Sequence, residues 1–148
     1  MPHTFTNLLA HLVFSTKDRL PLISADARPR LHAYLGGIVR ELNGTPLIVN
    51  GMADHVHLLV GLPLALSVSG ALRVLKANSS RWMHKTCRKP FAWQSGYGAF
   101  SVSRSNLEAV REYIERQEEH HRRMDFKEEF ISLLRKHGVE FDERFIWN

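Results

Sequence analysis

Hydrophobic positions recur along the chain with two periods, and the switches between them mark out the elements. Residues 7–15 (NLLAHLVFS) are apolar and of strand length, and Lys17-Asp18-Arg19 with Pro21 closes the run. Leu31, Leu35, Ile38, Val39 and Leu42 then repeat at helical spacing, which predicts a helix capped by Ser24 or Asp26 and stopped at Asn43-Gly44. Residues 47–52 and 55–62 are two short apolar runs joined by Ala53-Asp54, the pattern of an antiparallel hairpin. A helix over about residues 67–85 sets Leu72, Leu75, Ser79 and Trp82 on one face and Arg73, Lys76 and Ser80 on another. Residues 96–103, where Phe100 and Val102 alternate with serines, form a fourth strand. Ser105-Asn106-Leu107-Glu108 reads as a capping box that opens a helix to about Arg122, with Leu107, Val110 and Ile114 on its core side. Asp125-Phe126-Lys127-Glu128 repeats that signature, Gly138 supplies a C-cap, and residues 140–148 read as a short arm or edge strand.

The order β-α-β-β-α-β-α-α contains the split βαβ plan: an α+β, ferredoxin-like (RRM-like) antiparallel sheet with helices on one face, its other face free for a ligand. At 148 residues without repeats or a linker, the chain is expected to form a single domain over 1–148.

Composition adds a polarity to this frame. Apolar residues at 44% and charged residues at 24% exclude a disordered or fibrous chain. The formal net charge is +5, but its placement says more: residues 55–107 contain no acid and hold Arg73, Lys76, Arg81, Lys85, Arg88, Lys89 and Arg104. A concentrated basic excess suits a polyanion, although a solvated helix face has the same composition. The single Cys87 permits no internal disulfide, and no secretory signal or membrane span is visible, so a reducing cytoplasmic setting is expected.

His55-Val56-His57 lies inside the third strand. Alternation puts both imidazoles on one face, with Cα atoms about 6.6 Å apart, within reach of a shared cation. Two half-buried histidines of ordinary packing would read the same. Tyr113 and Gln117 stack on one face of the capped helix with Arg116 and His120 beside them, yet a lone tyrosine on a helix is usually packing and a lone glutamine usually solvated.

Five blocks taken together carry a resemblance: HLVFST, GMADHVHLLVGL, LRVLKANSSRW, FAWQSGYGAFSVS and VREYIERQEEHH. In order and spacing they resemble the small single-tyrosine transposases of bacterial and archaeal insertion sequences, the class whose histidine motif is His-hydrophobic-His, and their REP-associated relatives. The resemblance runs from about residue 7 to residue 148. It implies that His55 and His57 are a metal-binding pair, that Tyr113 is the nucleophile, and that Gln117 is a further metal ligand. Met52 stands where some members have an acidic ligand, three positions before the first histidine. Asp54 is then either a partner that orients an imidazole or simply the turn residue between two strands, and the turn is the favoured reading.

The implied chemistry is metal-dependent cleavage and rejoining of single-stranded DNA through a covalent 5′-phosphotyrosine, with Mg²⁺ or Mn²⁺ as cofactor. Arg116 and His120 are the nearest candidates for drawing off the tyrosine proton. The rival tyrosines, Tyr34 and Tyr97, are expected to be structural. Arg73, Lys76, Arg81 and Lys85 are the candidate DNA-binding residues, and Trp82 or Trp93 offers a surface on which a base can stack. The resemblance further implies recognition of DNA hairpins at element ends, and a homodimer in which the tyrosine helix of one subunit completes the histidine site of the other. Two other classes fit parts of the pattern: a non-catalytic nucleic-acid-binding module, and a metal phosphodiesterase that uses water.

Overall fold

A computed structural model describes residues 4–87 and 89–147. Its third strand shows how the sheet is organised. In β3 (His55–Leu62), Val56, Leu58 and Val60 project to one side while His55, His57 and Leu59 project to the other. All six are buried, because each face of the sheet is covered. β3 pairs with β2 (Thr45–Met52) through a two-residue hairpin and with β1 (Leu8–Ser15), and β1 pairs with β4 (Gly98–Val102). Every pairing is antiparallel, and the order across the sheet is β2-β3-β1-β4.

One face carries the main core. Leu12 and Phe14 of β1 and Val56, Leu58 and Val60 of β3 pack against α1 (Ala27–Glu41) and α2 (Val68–Cys87) through Leu31, Leu35, Ile38, Leu72, Leu75 and Met83. Removing water from a buried Leu or Phe contributes about 1.5–3 kcal/mol, so this layer supplies most of the drive to fold. The Ser24 hydroxyl accepts the Ala27 amide at 3.1 Å, as a cap on α1 should.

The opposite face departs from expectation, since it is not free. Three further helices cover it: α3 (Leu107–Glu115), α4 (Gln117–His120) and α5 (Phe126–Lys136). Leu59, Val102, Leu107 and Ile114 form one small core there, and Val13, Phe100, Phe126, Leu133 and Leu134 form another. The helix predicted over 105–122 is divided at Arg116, whose φ of −95° and ψ of 26° leave the helical region. The cause lies in β2: Asn50 Nδ2 donates to the Ile114 carbonyl at 2.8 Å and to the Glu115 carbonyl at 3.3 Å. Those carbonyls would otherwise accept the next turn's amides. Ser105 does not cap this helix; a 3-10 turn over Arg104–Asn106 precedes it, and Ser105 Oγ sits 3.1 Å from Ser103 Oγ.

The last helix follows its sequence signals closely. Asp125 accepts the Glu128 amide at 2.9 Å, and Gly138 takes φ +67° with the Val139 amide reaching back to the Leu134 carbonyl at 2.9 Å. Through residue 147 the tail is an arm of turns rather than a strand, with Phe141, Ile146 and Trp147 packed on the α5 side; Asn148 lies outside the described residues.

Candidate active site

The covered face of the sheet buries polar groups that an ordinary core would not hold. His11 on β1, His55 and His57 on β3, Gln117 at the start of α4 and Glu129 on α5 are each at most 3% exposed. Buried groups of this kind need partners, and here they are mostly one another's. Glu129 is the hub. Its Oε1 lies 3.1 Å from His57 Nε2, 3.0 Å from His121 Nε2 and 3.3 Å from His55 Nε2. Its Oε2 accepts from Gln117 Nε2 at 3.0 Å and from the Tyr113 hydroxyl.

The sheet and the α3–α4 break set this geometry. His55 and His57 leave the same side of β3 as expected, with ring centroids 5.1 Å apart. The break at Arg116 sets Tyr113 at the end of one helix and Gln117 at the start of the next. Gln117 Oε1 thereby meets His55 Nε2 at 2.9 Å. His57 is held from behind, its Nδ1 2.8 Å from His11 Nε2. Asp54 does more than turn the chain: its Oδ1 lies 2.7 Å from His55 Nδ1, fixing which ring nitrogen faces the hub. The favoured turn-only reading of Asp54 is thus corrected, because a hairpin of two residues leaves its carboxylate beside the first imidazole of β3.

Electrostatics follow from burial and neighbours. Burial alone would lower His55, but the hydrogen bonds it donates to Asp54 and Glu129 overcome it and lift the imidazole to about 9. His57, fully enclosed, is lowered because burial outweighs the attraction of Glu129. His11 falls to about 3 through burial, with His57 adding to the effect. For Glu129 burial acts upward, yet His121, His55 and His57 together hold it far below the usual carboxylate range. Tyr113 is pushed well above an ordinary phenol by burial and then by the Glu129 charge.

His121 and Glu129 were not anticipated from the sequence. With His55 they offer ligand atoms that all lie within 4.8 Å of one another. The available signal was on α5, where Glu129 falls in the apolar stripe of Phe126, Phe130, Leu133 and Leu134 rather than on the solvent side.

The expected DNA-binding residues lie elsewhere. Arg73, Arg81 and Lys85 are exposed on α2, in the layer opposite the histidines. Lys76 is partly enclosed, and its ammonium donates to the carbonyls of Gln94, Ser95 and Gly96 at 2.6, 3.1 and 3.2 Å, which ties it to the loop before β4. Neither candidate stacking tryptophan is free: Trp82 stacks on Tyr34 at 5.2 Å, while Trp93 packs edge-on against Phe14 and donates to Ser79 Oγ at 2.9 Å. Tyr34 is therefore a packing residue, as expected, and Tyr97 is 43% exposed on its turn. Arg116 pairs with Glu112 at 2.7 Å on the surface, whereas the His120 ring lies 4.7 Å from that of Tyr113.

A four-stranded antiparallel sheet with a paired-histidine strand, facing helices that carry a tyrosine and a glutamine, has the architecture of a small tyrosine transposase. The chain belongs to the IS200-like transposase family, whose model matches residues 4–117. It is 27% identical over 124 residues to the transposase for insertion sequence element IS200 of Salmonella typhimurium, covering 79% of this chain and 81% of the relative, and equally to that of Salmonella typhi. The fold is similar to that of a protein from Deinococcus radiodurans R1 described as a transposase (TM-score 0.65, 24% identity, 79% of this chain and 95% of that one). It is also similar to a REP-associated tyrosine transposase bound to a REP hairpin (TM-score 0.55, 13% identity, 79% of this chain and 68% of that one). No described helix is long and apolar enough to cross a membrane.

Proposed function

We propose that the chain cleaves and rejoins single-stranded DNA with Tyr113 as nucleophile, in a reaction that depends on a divalent cation such as Mg²⁺ or Mn²⁺. The carrying observation is that Tyr113, Gln117, His55 and His57 all meet at Glu129. In the reaction the Tyr113 oxygen forms a bond to phosphorus, the bond from phosphorus to the 3′ oxygen breaks, and that oxygen leaves as a free 3′-hydroxyl. The resulting 5′-phosphotyrosine keeps the bond energy, so a 3′-hydroxyl can reverse the step on another strand.

The donor set suits a hard divalent ion with room for phosphate: a carboxylate, an amide oxygen and imidazole nitrogens, of which His55 would give up its proton in exchange for the ion. His55, His57 and Gln117 would hold it, joined by Glu129 and His121. Its charge would stabilise the developing phenolate and polarise the phosphodiester. The protein groups supply the rest. Asp54 and His11 lock the ring orientations of His55 and His57. Glu129 accepts the hydrogen bond of the Tyr113 hydroxyl, which fixes the orientation of the attacking oxygen beside the ion site.

DNA hairpins are the proposed partner, and Arg73, Arg81 and Lys85 the proposed phosphate contacts; lowering the salt slope of binding by about one per residue replaced would support these contacts. A homodimer that shares its sites is proposed from the family resemblance, while the chain's own Tyr113 also reaches its own histidines through Glu129. Mixing His57→Ala with Tyr113→Phe protein decides between the two arrangements: activity returns only if sites are completed between subunits.

The test is incubation with Mn²⁺ or Mg²⁺ and labelled single strands from the flanks of the gene, followed by denaturing electrophoresis. A label shifted to protein size, dependent on metal and absent in Tyr113→Phe, is expected. Cleavage that persists in Tyr113→Phe would mean a water-using phosphodiesterase, and binding without cleavage a non-catalytic module.

A further inference from the structure

Beside the tyrosine, between α3, α5 and the β1–β4 edge, lies a cavity of about 260 Å³ that the cleavage chemistry leaves unused. Tyr113 and Glu129 form part of its wall, so whatever enters it lies against the attacking oxygen. The other walls are of two kinds. Val110 and Leu133 are apolar, while His11, His120 and His137 offer imidazole rings; His137 stacks on Phe100 at 4.4 Å and 17°. Flat π faces interleaved with aliphatic groups are what an unstacked base requires. The size fits one base, being below the usual range of about 300–1,000 Å³ for pockets that enclose larger ligands.

Two polar features mark it as more than a packing defect. His120 Nε2 is buried without a hydrogen-bond partner among the described residues, although the same ring packs against Tyr113. Buried polar atoms are seldom left unmatched, and a heteroatom of a bound ring would match this one. At the rim, Lys136 is exposed and forms no ion pair within 4 Å among the described residues. A cation at the mouth of a base-sized slot is placed for the phosphate that joins that base to the chain.

We propose that this cavity receives the base of one nucleotide flanking the phosphodiester attacked by Tyr113, with Lys136 on the adjoining phosphate, so that it sets both cleavage position and base preference. The proposal rests on the DNA-cleaving function above. Single strands from the gene's flanks, each carrying one 2-aminopurine or one abasic site, test it. Without added metal, fluorescence of 2-aminopurine is expected to change strongly on binding at a single position next to the cleaved bond. With Mn²⁺, an abasic site at that position is expected to slow formation of the covalent adduct at least tenfold. Ala109→Trp, which fills the cavity from an exposed wall position, should abolish the fluorescence change and slow adduct formation on intact DNA without slowing it further on the abasic strand. Ser132→Trp at the rim provides a second filling variant should the first misfold. If the wild-type protein forms adduct but no flanking position responds, or filling slows intact and abasic strands by separate, multiplying factors, the base slot is refuted. If no strand yields an adduct at all, the cleavage function itself is refuted.

Discussion

Replacing Glu129 by Gln keeps the shape of the hub and removes its charge. The carboxylate accepts on both oxygens, from Tyr113 and Gln117 on one side and from the imidazoles on the other. A carboxamide can accept on one side only. With its oxygen toward Tyr113 and Gln117, its amino group faces the Nε2 atoms of His55, His57 and His121, which must then be unprotonated. His55, held at about 9, would have to give up its proton at pH 7. Two units below that value correspond to about 2.7 kcal/mol, an upper bound because Asp54 still supports the charge. The opposite orientation sets two amino groups against each other and has a similar cost, since each unmet buried donor costs about 1–3 kcal/mol. Glu129→Gln is therefore expected to lose about 2–3 kcal/mol at pH 7, or about 4–12 °C in Tm for a chain of this length. Glu129 is held below the ordinary carboxylate range in the fold, so its contribution is complete above about pH 4.5 and declines as pH falls further. The two proteins should converge in stability on acidification. Tyr113 should also titrate lower in the variant, because a neighbouring anion has gone. Differential scanning calorimetry and ultraviolet titration of the phenol read the two effects. A Tm within 1 °C of wild type at pH 7, with unaltered phenol titration, would refute the assignment of Glu129 as the hub.

Three further perturbations separate the supports of the site. Asn50→Ala removes both hydrogen bonds at the C-terminus of α3, and should cost about 1–2 kcal/mol while lowering adduct formation more than tenfold, because Gln117 loses its fixed place; chemical denaturation and the adduct gel measure the two. Gly51→Ala sets a Cβ 2.2 Å from the His55 carbonyl oxygen and 2.9 Å from Val56 Cα, so the β2–β3 pairing must shift and about 2 kcal/mol or more should be lost in urea denaturation. His32 is held neutral to about 4 by burial and by the Arg28 charge. The unfolded chain takes up that proton first, so stability should decline from about pH 6.5 and level off below about pH 4, by about 2 kcal/mol between pH 7 and 4.5. His32→Gln should shrink that acid loss by the same amount, and an unchanged pH slope would count against the buried neutral imidazole.

Features encoded over short stretches were legible before folding is considered. The period of two in residues 55–62 placed His55 and His57 on one face, the Asp125 cap and Gly138 stop bounded α5, and helical spacing picked out Leu31, Leu35, Leu72 and Leu75 as core. Tertiary structure decided whatever depends on contacts between distant segments. Asn50 breaks the helix that periodicity made continuous, because a β2 amide intercepts carbonyls 64 and 65 positions away. Glu129 lies in the first turn of α5, and only the packing of that helix carries it to His57, 72 positions away. The charge on α2 was legible, but not that Lys76 turns to loop carbonyls or that the sheet separates the basic stripe from the histidines. Local pattern reports which side of its own element a residue occupies; only packing fixes what stands opposite, and the chemistry of this site lies in what stands opposite.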